Sequence, residues 1–256
     1  MRHIPVFLLL FLSSVILPAC EGGSGPRNPL KVFVAGSLAE VFDQIEIDFE
    51  KEHPDCDVVT LCQGSQSLRL QIEQGAAMDV VVLANEAHME ALFQGGFVEP
   101  PRRFAGNRLA LIVPEENPAG IQSLADLDKA TGLILGGKTV PVGIYADKLI
   151  ERLGRRYGNE FKERVLSAVV SREHNTRLVR GKIQLGAGDA AIVFHTDALH
   201  TKNVKTIQVP DELNVEGVYM MGKSSKATEH DIINDWISFL VSAKGQDILV
   251  EHGFVR

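Results

Sequence analysis

From residue 30 onward, short apolar runs alternate with segments whose apolar residues recur every three or four positions. Lys31-Val32-Phe33-Val34-Ala35 reads as a buried strand running into a Gly36-Ser37 turn. Leu38, Val41, Phe42, Ile45 and Phe49 then fall on one helical face. Ser37, with Glu40 three residues on, has the form of a capping box, so Ser37 is expected to be the N-cap of that helix. Asp57–Leu61 predicts a second strand, and Leu68–Gln74 a second helix closed by Gly75. Asp79–Ala84 is almost continuously apolar, the pattern of a parallel strand buried on both faces. Glu86–Gln94 follows as a helix closed by Gly95-Gly96. This βαβαβα order predicts an α/β sheet with right-handed crossovers.

Pro100-Pro101-Arg102-Arg103 reads as a break, and Arg108–Val113 as a strand beyond it. A second alternating series has strands near 133–135, 168–170 and 190–194, and helices over 143–153, 160–166 and 176–185. Val204–Val209 reads as a strand leading out, before a strand near 215–221 and helices over 228–243 and 246–251, with Trp236 and Phe239 in the core. Two series with a tail predict two lobes, residues 30–107 plus 210–256 and residues 108–209, each a mainly parallel sheet flanked by helices. The chain would cross between them near 108–113 and near 204–209. Two crossings make a two-strand hinge and leave the cleft as the default binding site.

Residues 1–19 read as a signal peptide: Arg2 and His3 precede an apolar run, Ile4–Ile16, too short to span a bilayer. Leu17-Pro18-Ala19-Cys20 is similar to the lipobox of bacterial lipoproteins, in which the Cys is acylated. Pro18 is unusual in that motif, and ordinary cleavage after Ala19 is the alternative. Residues 20–29, rich in Gly, Ser, Pro and Asn, read as a tether from the lipid anchor. The expected location is the periplasm or the outer face of the cell membrane. Cys56 and Cys62 are separated by a strand about 20 Å long, whereas a disulfide needs Cα atoms within about 7 Å. The two are therefore not expected to pair with each other. A net charge of −7 argues against nucleic acid as a partner and makes any anion site depend on local donors.

Four predicted helix starts should face the cleft: Gly36-Ser37, Gly64-Ser65, Pro141-Val142-Gly143 and Asn175-Thr176. All follow strand-like segments or turns, so they belong at carboxyl ends of strands, where open α/β sheets bind ligands. Each offers unpaired backbone N–H groups. Ser37 alone need do no more than cap its own helix; the recurrence of the same device makes the case for a ligand. Such a cage suits a small, fully ionised tetrahedral oxyanion, and needs no Lys or Arg.

These stretches resemble the periplasmic molybdate-binding proteins of ABC importers nearly end to end. Ala35-Gly36-Ser37-Leu38 is similar to that family's Ala-Ala-Ser-Leu, and Ser65 through Val80 to its Ser-rich turn, Gln-Ile-Glu helix and Ala-Asp-Val strand. Val140-Pro141-Val142-Gly143-Ile144-Tyr145-Ala146 resembles its Val-Pro-Ala-Gly-Ile-Tyr-Ala, and Asn175-Thr176-Arg177 sits where the family has an acidic residue or Asn, then Val, then Arg. Ala191-Ile192-Val193-Phe194-His195-Thr196-Asp197-Ala198 resembles its Gly-Ile-Val-Tyr-x-Ser/Thr-Asp-Ala. The resemblance implies a type II periplasmic-binding-protein-like fold, no enzymatic activity, no cofactor, and molybdate or tungstate as ligand without direct metal ligands. It also implies a permease and its ATPase as partners and a monomeric state; the membrane link through Cys20 is expected from the lipobox-like stretch instead. It assigns the oxyanion contacts to Ser37 and Ser65 (hydroxyl and N–H), Val142 and Thr176 (backbone N–H), and Phe194. Phe194 departs from the family's Tyr, whose hydroxyl donates to the anion. Thr176, His195 or a water are the candidates to replace that donor, although strand alternation turns His195 away from Phe194. Glu40, in its capping box, is expected to turn toward solvent when the site is filled.

Two other functional classes compete for the same residues. An enzyme would use Ser37, Ser65 or Ser67 with His174 or His195 as base, but Gly-x-Ser-x-Gly is missing. His-x-His, His-Glu-x-x-His and Cys-x-x-Cys are missing too, which leaves a catalytic metal unsupported. The same fold with another ligand, such as sulfate, phosphate, iron complexes or organic solutes, stays open because fold does not fix ligand. The Tyr clusters of iron-binding relatives have no counterpart in Tyr145, Tyr157 and Tyr219 as spaced here. Arg69, Arg177 and Arg180 read as solvated helix-face charges, with Arg177 able to orient the nearby helix start.

Overall fold

The computed structural model describes residues 29–228 and 230–256. The predicted signal peptide, Cys20 and nearly all of the tether lie outside the described residues. Ten strands form two five-stranded sheets among these residues. The first sheet has β1 (Pro29–Ala35), β2 (Asp57–Gln63), β3 (Val80–Leu83), β4 (Arg102–Asn107) and β10 (Gly217–Lys223), in the order β2-β1-β3-β10-β4. The second has β5 (Leu109–Pro114), β6 (Leu133–Gly136), β7 (Val169–Glu173), β8 (Ala190–Phe194) and β9 (Val204–Gln208), in the order β7-β6-β8-β5-β9. The molecule is thus a two-lobed α/β protein.

Both sheets are mixed in the same way. β1 pairs with β2 and β3 in parallel, while β10 runs antiparallel to β3 and β4. β6 pairs with β7 and β8 in parallel, while β5 runs antiparallel to β8 and β9. The antiparallel strands adjoin the crossings. The chain leaves the first sheet between Asn107 and Leu109 and returns between Gln208 and Gly217. β4 was not anticipated: Arg102 and Arg103 look like part of a proline-led break, yet both pair with β10, as do the buried Ala105, Gly106 and Asn107, with an irregularity at Phe104. Two adjacent prolines mark where the chain turns, not where the sheet ends.

Helices α1 (Ala39–Glu52), α2 (Ser65–Glu73), α3 (Glu86–Gln94), α8 (His230–Val241) and α9 (Ala243–Glu251) belong to the first lobe. Helices α4 (Pro141–Tyr157), α5 (Asn159–Ser167), α6 (Thr176–Gln184) and the short α7 (His195–Leu199) belong to the second. Trp236 is fully buried, with its ring edge-on to Phe49 at 4.9 Å and to Phe42 at 6.1 Å, which fastens α8 to α1. α2 ends at Gly75, whose φ of +95° needs a residue without a side chain. Asn85 caps α3 by accepting from the His88 N–H. Cys56 immediately precedes β2 and Cys62 lies near its end, and burial pushes the Cys62 thiol up to about 11.

The start of α1 differs from expectation. Gly36–Leu38 form a single 3-10 turn and α1 begins at Ala39, so no capping box forms between Ser37 and Glu40. Ser37 lies inside that turn, 5% exposed, with its hydroxyl against Tyr219. Glu40 is drawn instead toward Arg180 of the other lobe. An arginine partner outcompetes a backbone N–H for a carboxylate, because both members of the pair are charged.

Candidate functional site

Four helix starts converge where the lobes meet. Ala35, Gly36 and Ser37 come from the end of β1, Gly64 and Ser65 from the end of β2, and Ala84 from the end of β3. Val140, Pro141 and Val142 start α4, Asn175 and Thr176 start α6, and Phe194 ends β8. Together they line a small, part-open cavity of about 20 Å³. That is room for a guest of a few atoms, far below the several hundred Å³ typical of organic-ligand pockets. Ser37, Ser65, Val142, Thr176 and Phe194 all line it; among the described residues no lysine or arginine does. Larger clefts, of about 390 and 430 Å³, open at the other end of β1 around Pro29 and Asp79. They lie away from the carboxyl ends of the strands and gather no comparable set of helix starts.

The donors are left available by the local chain. The 3-10 turn at Gly36, α2 and α4 each begin without a side-chain cap, so their first N–H groups keep no internal acceptor. Pro141 at the first turn of α4 gives up only an N–H that the helix cannot use. At α6, Asn175 accepts from the Leu178 N–H and leaves the first N–H groups of the turn unserved by a side chain. The Ser65 hydroxyl accepts from the Ala84 N–H at 3.1 Å, so its own proton is free for the cavity. Thr176 is different: its hydroxyl donates to Asp197 Oδ2 at 2.7 Å, so it offers the cavity only backbone.

Sequence reading missed the groups behind these residues. Tyr219 is fully buried, with its hydroxyl 2.6 Å from Ser37 Oγ and 3.2 Å from Asn107 Nδ2. Phe194 packs between Tyr145 and Tyr219, ring centroids 6.0 and 5.8 Å away. Two tyrosines distant in sequence are thus brought to the site, but both hydroxyls are engaged, Tyr145 accepting from the Val218 N–H at 3.1 Å. Burial pushes Asp197 up to about 7, against the opposing pull of the Thr176 hydroxyl and Arg180. His195 does not line the cavity; its ring lies near Gly253. Neither His195 nor the Thr176 hydroxyl therefore replaces the donor that Phe194 lacks.

The lobes are drawn together around the cavity. Gln66 Nε2 donates to the His174 carbonyl at 2.6 Å, and His88 Nε2 donates to the Thr139 carbonyl at 2.8 Å. Arg180 pairs with Glu40 across the cleft, and Arg177 stands 3.7 Å from the same carboxylate. Burial favours the neutral Glu40, but Arg180 outweighs it and holds the carboxyl below its ordinary range. Arg180 is thus no solvated surface charge: its side chain is 12% exposed, and its second nitrogen faces Asp197 at 3.7 Å.

The profile of the family described as bacterial extracellular solute-binding protein matches residues 30–255. The chain belongs to that family. This solute-binding protein is a carrier, not an enzyme, and works outside the cytoplasm. Over 252 residues it is 27% identical to the molybdate-binding protein ModA of Mycobacterium tuberculosis, an alignment that covers 94% of this chain and 93% of the relative. Its fold is similar to that of the periplasmic molybdate-binding protein of Azotobacter vinelandii, with a TM-score of 0.76 at 18% identity over 89% of this chain and 99% of the other. The sulfate-binding protein SubI of Mycobacterium tuberculosis has a similar fold too, with a TM-score of 0.75 at 16% identity over 88% and 86% of the two chains. Fold alone therefore does not choose between these ligands.

Proposed function

We propose that this solute-binding protein captures molybdate, and tungstate in the same site, and delivers it to the permease and ATPase of an ABC importer. The oxyanion is held in the closed cleft by the hydroxyls of Ser37 and Ser65 and by backbone N–H groups at Ser37, Ser65, Val142 and Thr176. The protein acts as a monomer anchored to the outer face of the membrane by a lipid on Cys20. The observation that carries this reading is the small cavity ringed by uncapped helix starts from both lobes, with no cationic side chain in its lining among the described residues. A charged hydrogen bond contributes about 1.5–3 kcal/mol, and each helix end about 0.3–1 kcal/mol more. Several such donors offset the cost of dehydrating a doubly charged guest.

A lining of donors favours a guest with no proton of its own, which sets molybdate above hydrogen phosphate. Sulfate carries the same charge but is smaller, and engages fewer donors at once. Calorimetric titration with molybdate, tungstate, sulfate and phosphate tests the reading. Molybdate and tungstate are expected to bind tightest and to compete for one site. A preference for sulfate or phosphate overturns it.

A further inference from the structure

Behind Ser37 runs a chain of hydrogen bonds whose direction can be read from one end to the other. It starts at Asn107, the last residue of β4, which is fully buried at the crossing between the lobes. The Arg108 backbone N–H reaches the Asn107 side-chain oxygen at 2.9 Å. A backbone N–H can only donate, so this contact sets which end of the amide is oxygen. The Nδ2 end then spends its two protons on Thr196 Oγ1 at 2.9 Å and on Tyr219 Oη at 3.2 Å. Tyr219 Oη is thereby an acceptor from Asn107, and its single proton has Ser37 Oγ, 2.6 Å away, as its partner. The opposite assignment, Ser37 donating to Tyr219, leaves the phenol proton buried without an acceptor. Burial raises the Tyr219 pKa well above its ordinary value, so the phenol keeps that proton.

We propose that Tyr219, oriented by Asn107, is a specificity-determining positioning residue: it donates to Ser37 and so commits the Ser37 hydroxyl to donate into the cavity. The inference rests on the oxyanion reading of the site and deepens it. Ser65 is committed in the same sense by the Ala84 N–H, so both hydroxyls of the cavity point their protons inward. A guest that brings its own proton, such as hydrogen phosphate, needs an acceptor. For Ser37 to become one, its proton must turn toward Tyr219, where it meets the phenol proton. The relay thus acts against protonated oxyanions while leaving fully deprotonated ones alike in this respect. Neither Tyr219 nor Asn107 is among the residues that line the cavity; Tyr219 reaches it through its hydrogen bond to Ser37 and through its ring against Phe194, and the Ser37→Ala background separates the two routes.

The test measures molybdate affinity directly and inorganic phosphate and sulfate by competition, in wild type, Tyr219→Phe, Asn107→Ala, Ser37→Ala and the Ser37→Ala/Tyr219→Phe double variant. Loss of one committed donor is expected to lower the molybdate-over-phosphate ratio about tenfold in Tyr219→Phe and to leave the molybdate-over-sulfate ratio within about twofold. Asn107→Ala, which frees the phenol to turn its proton, is expected to lower the phosphate ratio by a second route, should Tyr219→Phe not fold. In the Ser37→Ala background, Tyr219→Phe is expected to leave the phosphate ratio unchanged. A merely structural role moves the phosphate and sulfate ratios together, and that result overturns the proposal. An unmoved phosphate ratio in both Tyr219→Phe and Asn107→Ala overturns it as well. Wild-type protein that binds none of the three anions overturns the oxyanion reading itself, whereas wild-type binding with an unmoved ratio overturns the role of Tyr219 alone.

Discussion

Replacing Gly64 with alanine sets the closed cleft against the stability of the lobe that carries it. Gly64 has φ −63° and ψ 138°, a conformation that any residue adopts, so alanine brings no backbone strain. A Cβ added there stands 2.6 Å from the His174 carbonyl oxygen, which belongs to the opposite lobe. It also meets the Gln66 side chain at 2.7 Å, which can swing aside. The carbonyl is backbone and cannot, so the lobes must part by a sizeable fraction of an ångström for the contact to become ordinary. Overpacking of this kind costs about 1–3 kcal/mol, which lowers ligand affinity by about five- to 150-fold. The open, ligand-free protein escapes the clash and gains the usual benefit of Gly→Ala, about 0.4–1 kcal/mol. Affinity and stability therefore move in opposite directions. Calorimetry with molybdate reads the first, and urea unfolding of the ligand-free protein the second. An alanine variant that binds as tightly as wild type refutes the closed geometry as the bound state. A ligand-free variant less stable than wild type refutes the view that the lobes part freely.

Ser65→Ala removes a donor to the anion and leaves the buried Ala84 N–H without its acceptor; molybdate affinity should fall about 10- to 150-fold and stability by about 1–3 kcal/mol, read by calorimetry and by urea unfolding. Phe194→Tyr restores the hydroxyl of the resembled family, and molybdate binding should tighten about tenfold with the anion ranking unchanged; weaker binding would show that the added hydroxyl is crowded against Gly217, which the ring edge already faces, and does not reach the guest. Asp197 is raised from 3.8 to about 7 in the folded protein. The folded state then holds more protons than the unfolded one between those values, so stability declines as pH rises through that window, by a few kcal/mol at most, and levels off above it. Asp197→Asn should abolish that slope in unfolding experiments across pH; a slope that survives would assign the proton to another group.

Much of the fold was legible because its signals are local. β3 and β8 are nearly continuous apolar runs, α3 is closed by two glycines, and the alternation of strand with helix predicts two lobes. β4 was hidden by its composition, since Arg102, Arg103 and Gly106 carry little strand pattern and only pairing with β10 makes them a strand. The short α7 and the 3-10 start of α1 likewise follow from tertiary context. At the site, most residues that touch the cavity belong to the four helix starts visible in the sequence; Phe194 came only from the family resemblance, and Ala84, at the end of β3, was not anticipated. Those behind them were not. Tyr219 reaches Ser37 across 182 positions, and Asn107 reaches Tyr219 across 112. Nothing in the local pattern of Val215–Met221 distinguishes Tyr219 from an ordinary core aromatic. Glu40 and Arg180 look like helix-surface charges until the cleft closes and makes them partners.

Crystals grown with molybdate and measured at the molybdenum absorption edge test the central claim most directly. The account predicts one anomalous peak in the cleft, within hydrogen-bond reach of Ser37, Ser65, Val142 and Thr176, with no lysine or arginine among its contacts. A peak held by basic side chains, or one in the cleft around Lys31 and Lys226 with the inter-lobe cavity empty, contradicts it.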